Sequence, residues 1–262
     1  MDSKKIRVLS IINLKGGVAK TITSVVFAYI LAEVFGYRVL LLDNDKQGDA
    51  SRQLRRRSYE RKGIEEIMLS RRPNMRELIQ TTDYKNLDIV TANMRLLKAN
   101  LEVMLDQQRP QQTRIRKALE SVAGDYDFCI IDNAPDINIS TINAMVASDD
   151  ILVPLEIDDN TTEGLPELVE QIENVQEDLN QALSFRGCLV TKFDKSNAAH
   201  VQGEELLRAG EYPVFTRHIR VSKKVAESTY NREPVFLYSR RAAASMDYLE
   251  AVREYLESIK EM

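Results

Sequence analysis

Apolar residues fall along this chain in short blocks separated by polar turns, and the blocks alternate between two lengths. Residues 6–12, 37–42, 86–92, 126–132, 151–155 and 185–191 are apolar runs of strand length, and a further short strand is expected around 212–216. Between them lie stretches with helical spacing. Residues 22–35 are mostly apolar, too long for one strand and too short to cross a membrane. Ile64, Ile67, Met68, Met75, Leu78 and Ile79 share a helical spacing broken at Pro73. Residues 96–108 and 113–122 read as helices separated at Pro110. Leu165, Leu168, Val169, Ile172, Val175 and Leu179 form the buried stripe of a longer helix, with Thr161 or Thr162 as its cap. The opposite face carries Glu167, Glu170, Glu173, Glu177 and Asp178, a solvent-facing pattern. Residues 198–208 read as another helix, residues 218–238 as irregular and basic. Met246, Leu249, Val252, Leu256 and Ile259 make one stripe of a terminal helix. Strands alternating with helices over nearly the whole length predict an α/β fold: one doubly wound, mostly parallel sheet with helices on both faces.

Composition narrows this. The chain has 262 residues, 44% of them hydrophobic, which is enough for a full core and argues against wholesale disorder. A net charge of −4 means that any nucleic-acid contact must use a local basic patch. One such patch runs from Arg52 to Arg72; a solvated helical face and a DNA-phosphate contact explain it equally well. Cys129 and Cys188 sit inside apolar strands, as buried thiols of a reducing cytoplasm would. No signal peptide is expected, since the apolar stretch after Lys4 and Lys5 is too short. The acidic polar face of the terminal helix is wrong for a membrane surface, so it is expected to pack on the core.

The chemistry concentrates just after three of the strands. Lys15, Gly16, Gly17, Val18, Ala19, Lys20, Thr21 and Ile22 join the first strand to the first helix. Glycines there let backbone N–H groups converge on a phosphate, and the helix N-terminus adds positive dipole character. Lys20 can reach terminal phosphates and Thr21 can ligate Mg²⁺. The strict pattern G-x-x-x-x-G-K-[ST] fails, because Leu14 and Ala19 stand where it wants glycines. After the second strand come Asp43, Asn44, Asp45, Lys46, Gln47, Gly48 and Asp49, a carboxylate-rich turn placed to order a cation or polarise a water. The strand at 126–132 ends in Asp132, the position from which a carboxylate holds Mg²⁺ through water.

The extra lysine at 15, with Gly16, Gly17, Lys20 and Thr21, resembles the deviant phosphate loop of the ParA/MinD ATPases, K-G-G-V-G-K-T-T. Asp43 to Asp49 resembles their D-x-D-P-Q-G-N segment, and Tyr126 to Pro135 their Y-D-x-x-I-I-D-x-P-P segment. The likeness to ParA/Soj partition ATPases covers essentially the full chain, 1–262, as one domain. No DNA-binding extension precedes Ile6, as in the short members lacking a helix-turn-helix. It implies a slow, Mg²⁺-dependent ATPase. Two protomers would close around two ATP molecules, Lys15 of each reaching the other's phosphates. Lys15, Lys20 and Asp45 would be catalytic, Asp45 as the water-activating residue. Residues 15–22 would bind nucleotide, and Thr21, Asp43 and Asp132 would hold Mg²⁺. The closed dimer would bind double-stranded DNA without sequence preference, with Lys224 and Arg241, and beside them Lys223 and Arg240, as contacts. A ParB-like partner would stimulate hydrolysis and release, in the cytoplasm and with no membrane role.

Departures from the family pattern keep other readings open. If position 19 needs positive φ, alanine there costs about 1–2 kcal/mol. Ile22 removes a hydroxyl that could reach the α-phosphate, and Thr23 points elsewhere on the helix. Asn133 and Ala134 are expected not to matter. The competing readings are a metabolic enzyme on the same scaffold and a nucleotide-dependent scaffold protein with weak or no hydrolysis. An iron–sulfur reductase is disfavoured, because both cysteines lie within strands.

Overall fold

The computed structural model describes residues 6–158 and 161–260. Its centre is a seven-stranded sheet of β1 (Arg7–Ile11), β2 (Val39–Asn44), β3 (Ile79–Thr81), β4 (Leu87–Val90), β5 (Phe128–Asn133), β6 (Asp150–Glu156) and β7 (Ser184–Thr191). The spatial order is β3-β4-β2-β5-β1-β6-β7, parallel except for β3 on the edge. This is the doubly wound arrangement that the alternation predicts. β1 lies between β5 and β6, strands that follow it by well over one hundred residues.

Helices cover both faces. On one side, α1 (Lys20–Tyr29) continues through a π-helical turn (Ile30–Val34) and packs with the terminal helix α12 (Ala243–Ser258). On the other side lie α3 (Ile64–Leu69), α5 (Arg95–Leu105), α6 (Arg114–Glu120) and α7 (Ile139–Ala147). α8 (Thr161–Asp178) closes the β6–β7 end. The short helices α2 (Asp49–Gln53), α4 (Met75–Leu78) and α11 (Val235–Tyr238), with α9 (Ala198–Ala209) and α10 (Lys223–Asn231), complete the chain. Among the described residues no helix is long and apolar enough to cross a membrane.

Several expectations need correction. Ile79 pairs with Val90 as an edge strand instead of continuing a helix. Residues 212–216 make only a single bridge, Val214 to Cys188. α7 carries no charge and gave no periodic signal, and α10 lies in the stretch expected to be irregular. The start of α10 is set by Ser222, whose hydroxyl accepts from the Lys224 N–H at 3.3 Å. Leu179 lies one residue past the end of α8 and is exposed. In α12 the dominant buried residues are Tyr248 and Tyr255, which pack on Phe27, while Met246 points to solvent. The caps proposed at Thr161 and Thr162 involve side chains outside the described residues. The acidic side chains of α8 are exposed, and both cysteines are buried and unpaired, as expected.

One buried carboxylate ties the layers together. Asp150, fully buried at the start of β6, accepts from Arg7 of β1, Arg186 of β7 and the Tyr255 hydroxyl of α12, at 2.6, 2.5 and 2.8 Å. Removing its charge takes from both guanidinium groups the buried anion they share, and disrupting such pairs costs about 3–5 kcal/mol. Asp150→Asn is therefore expected to lower stability by about 3 kcal/mol, read as a fall in urea midpoint at unchanged m-value.

Candidate nucleotide site

The phosphate loop is held from below by side chains. Asn13 donates to the Pro154 carbonyl of β6 at 2.8 Å and accepts from the Lys15 N–H at 2.9 Å. Thr191 of β7 donates to the Val18 carbonyl at 3.2 Å. Gly17 takes φ +79°, and Ala19, which directly precedes α1, takes φ +66° and ψ +27°. The left-handed conformation at position 19 is thus real, and an alanine pays its strain. The Lys20 ammonium folds back over the loop and donates to the Lys15 carbonyl at 2.8 Å. Burial pushes the Lys20 ammonium down, while the carboxylates of Asp132, Asp45 and Asp136 pull it back up.

The acidic positions meet this loop from neighbouring strands. β2 and β5 pair in register, so that Asp43 stands beside Asp132 and Asn44 beside Asn133. Asp132 accepts from the Ser24 hydroxyl of α1 at 2.8 Å, but its Oδ2 is buried without a hydrogen-bond partner. Asp43 accepts from the Ser51 hydroxyl and N–H at 2.6 and 2.8 Å and from the Asp45 N–H at 3.2 Å. Burial raises both carboxyls well above the usual carboxylate range, and the charge of Asp43 raises Asp132 further. Asp45 is half-buried at the rim. Of these acids Asp45 alone lines a cleft of about 720 Å³, with Gly16, Gly17, Ala19, Lys20, Thr21 and Ile22 on its floor, while Asp43 and Asp132 are fully buried. Thr229, Tyr230 and Arg232, at the end of α10, form a further wall that the sequence did not announce.

Asn133 is not idle. The Asn44 amide donates to Asn133 Oδ1 at 2.8 Å and to the Ser140 carbonyl at 3.0 Å, while Asn133 donates to the Ile11 carbonyl at 3.2 Å. This buried amide bridge ties the carboxyl ends of β1, β2 and β5 together next to the two carboxylates. Thr23 faces away from the cleft, as expected, and contacts the Tyr248 hydroxyl at 3.1 Å. Lys15 does not enter the cleft in the single chain; its ammonium pairs with Asp158 beyond β6.

The basic candidates lie elsewhere. Lys223 and Arg241 are exposed. Lys224 pairs with Glu227 at 2.6 Å and leans over the Tyr238 ring, and Arg240 leans over Phe236. Both thus rest on α11. In the earlier basic run, Arg52, Arg55, Arg56 and Lys62 are paired with Asp49, Glu233, Asp83 and Glu66.

The residues suit a phosphate with a magnesium ion. An orphaned buried carboxylate oxygen beside a second buried carboxyl, next to Thr21, is a hard oxygen donor set. Among the described residues no cluster of three or more metal-ligating side chains occurs. Mg²⁺ binds through one or two carboxylates plus phosphate and water, and the free oxygen of Asp132 is a donor of that kind.

Comparison with known proteins agrees with this geometry. An AAA domain family model matches residues 6–185. The chromosome partitioning protein ParA of Caulobacter vibrioides is 34% identical over 98% of this chain and 96% of its own length. The sporulation initiation inhibitor protein Soj of Bacillus subtilis is 32% identical over 95% of this chain and 97% of its own. Among solved structures, cobyrinic acid a,c-diamide synthase from Mycobacterium smegmatis, bound to an ATP analogue and magnesium, superposes with a TM-score of 0.83. It is 26% identical, over 97% of this chain and 96% of that one.

The strain at position 19 can be measured. Ala19→Gly removes about 1–2 kcal/mol of left-handed strain and adds about 0.5–1 kcal/mol of backbone entropy cost. Stability is expected to rise by about 0–1.5 kcal/mol, and a denaturation midpoint that falls would contradict the assignment.

Proposed function

The chain belongs to the ParA/Soj family of partition ATPases, and from that premise we propose that it is an ATP- and Mg²⁺-dependent switch that binds DNA. The observation that supports this best is a phosphate loop whose Lys20 lies within the field of Asp132, a buried carboxylate with one orphaned oxygen. Backbone N–H groups of residues 16–20 would cradle the phosphates, and Lys20 would exchange the Lys15 carbonyl for a phosphate oxygen. Thr21 and Asp132 would hold magnesium, with Asp43 braced behind them by Ser51. Magnesium, when bound, supplies neutralisation of phosphate charge. Asp45, at the rim and less enclosed than Asp43, would orient the attacking water. Lys15 is kept on Asp158 until a second protomer offers it a phosphate, where a cation stabilises developing charge.

DNA binding follows from doubling. Each protomer carries a modest basic surface around α11, at Lys223, Lys224, Arg240 and Arg241, and a nucleotide-closed homodimer would present two. Two weak phosphate-binding patches joined in one particle gain avidity without any new contact. A ParB-like partner that accelerates turnover would then release the protein from the nucleoid. The synthase likeness marks the competing reading, a metabolic enzyme on the same frame. The higher identity to ParA and Soj favours partition.

The deciding experiment is fluorescence anisotropy of a labelled random duplex with and without ATP–Mg²⁺, across a salt series. ATP-dependent binding that weakens steeply with salt is expected. Binding indifferent to ATP, in protein shown by calorimetry to bind ATP, would overturn the switch. Asp45→Ala is expected to keep ATP binding and to lose turnover by about 10²-fold or more. Unchanged turnover would remove Asp45 from its role.

A further inference from the structure

α5 is apolar on both faces. Leu96, Ala99 and Val103 are buried beneath it, yet Met94, Leu97, Leu101, Met104 and Leu105 stand in solvent on the other side, Leu105 at 81% exposure. Their spacing of three and four residues draws them into one stripe along the helix. The remaining exposed large apolar side chains among the described residues are spread over other elements. A continuous apolar stripe of this kind marks an interaction surface. None of these residues lines the nucleotide cleft.

We propose that this stripe is a second self-association surface, on which two copies pair α5 against α5, antiparallel, about a two-fold axis at the level of residue 100. The charges on α5 select this occupant. Lys98 and Glu102 lie on one flank of the stripe, and the other flank is closed by Asn100, which donates to Ser140 of α7 at 3.2 Å. A two-fold axis perpendicular to the helix reverses its direction and brings like flank to like flank. Positions equally far from residue 100 then face each other, so that Lys98 meets Glu102 of the second copy, and Glu102 meets its Lys98. The same operation sets Leu97 within one residue's rise of the level of Met104 of the second copy and brings the two Leu101 side chains close to the axis. The interface is isologous, and every contact occurs twice. Within one chain Lys98 and Glu102 already lie 3.4 Å apart, but Lys98 is 83% exposed. An exposed pair of this kind holds its partners weakly, so both charges are free to turn to the second copy. Five side chains a side make a small interface and hence a weak dimer, formed at high protein concentration.

Sedimentation equilibrium of the nucleotide-free protein, over a wide concentration range, tests this. Wild type is expected to show a monomer–dimer equilibrium, and Leu101→Glu to be monomeric throughout. Lys98→Glu and Glu102→Lys, each alone, set like charges opposite one another twice and should raise the dissociation constant about tenfold or more. The double exchange restores opposite charges and should return it close to wild type. All three positions are exposed, so matching thermal melts will show that the fold is retained. A monomeric wild type at every concentration would overturn the proposal. So would single exchanges without effect, or a double exchange that fails to rescue, because a heterologous partner gains nothing from that exchange.

Discussion

Two carboxylates stand side by side at the top of the sheet, and most of the site is arranged around that fact. Parallel pairing of β2 with β5 puts Asp43 level with Asp132, on strands about 4.8 Å apart and sealed from water. Two unit charges at that separation repel by about 3–4 kcal/mol even at an effective dielectric constant near 20. Such a pair persists only if protons or cations share the place. The surroundings are built to that end: Ser51 and Ser24 donate to the two acids, Lys20 lies nearby, and Asn44 with Asn133 fixes the strand ends below. One oxygen, Oδ2 of Asp132, is buried without a hydrogen-bond partner. The sheet therefore carries a standing demand for positive charge at the mouth of a glycine turn.

The loop meets that demand with an unusual residue. Ala19 holds the left-handed conformation that glycine adopts freely, and the loop tolerates it because Asn13 and Thr191 pin it at both ends. Lys15 is parked on Asp158, outside the cleft, so the single chain turns only one of its two loop lysines toward the cleft.

How much of this was legible in the sequence depends on how local the signal was. The strands, the loop and the three acids follow from apolar runs ending in Gly, Lys or Asp, because parallel strands buried on both faces tolerate little else. The caps and charges of surface helices were less readable. α10 has no clean apolar stripe, and its only local mark is Ser222. The end of α10 forms a wall of the cleft through Thr229, Tyr230 and Arg232, a placement decided by tertiary packing alone. The C-terminal stripe was read from aliphatic residues, yet two tyrosines, Tyr248 and Tyr255, occupy the deepest positions, because their hydroxyls find Thr23 and Asp150. Asn133, which looked dispensable, could be understood only with Asn44 beside it.

The strand order has a consequence for how the protein is made. β1 and the phosphate loop are synthesised first, but the neighbours of β1 are β5 and β6, and the cover of α1 is α12 at the other end of the chain. A ribosome adding about 5–20 residues per second leaves the first strand without its sheet neighbours for on the order of ten seconds. During that time the most apolar segment of the protein, residues 22–35, is exposed to other nascent chains. Pairing of the first strand is then tied to the pace of translation, and chaperones that shelter the amino-terminal third would bridge the wait.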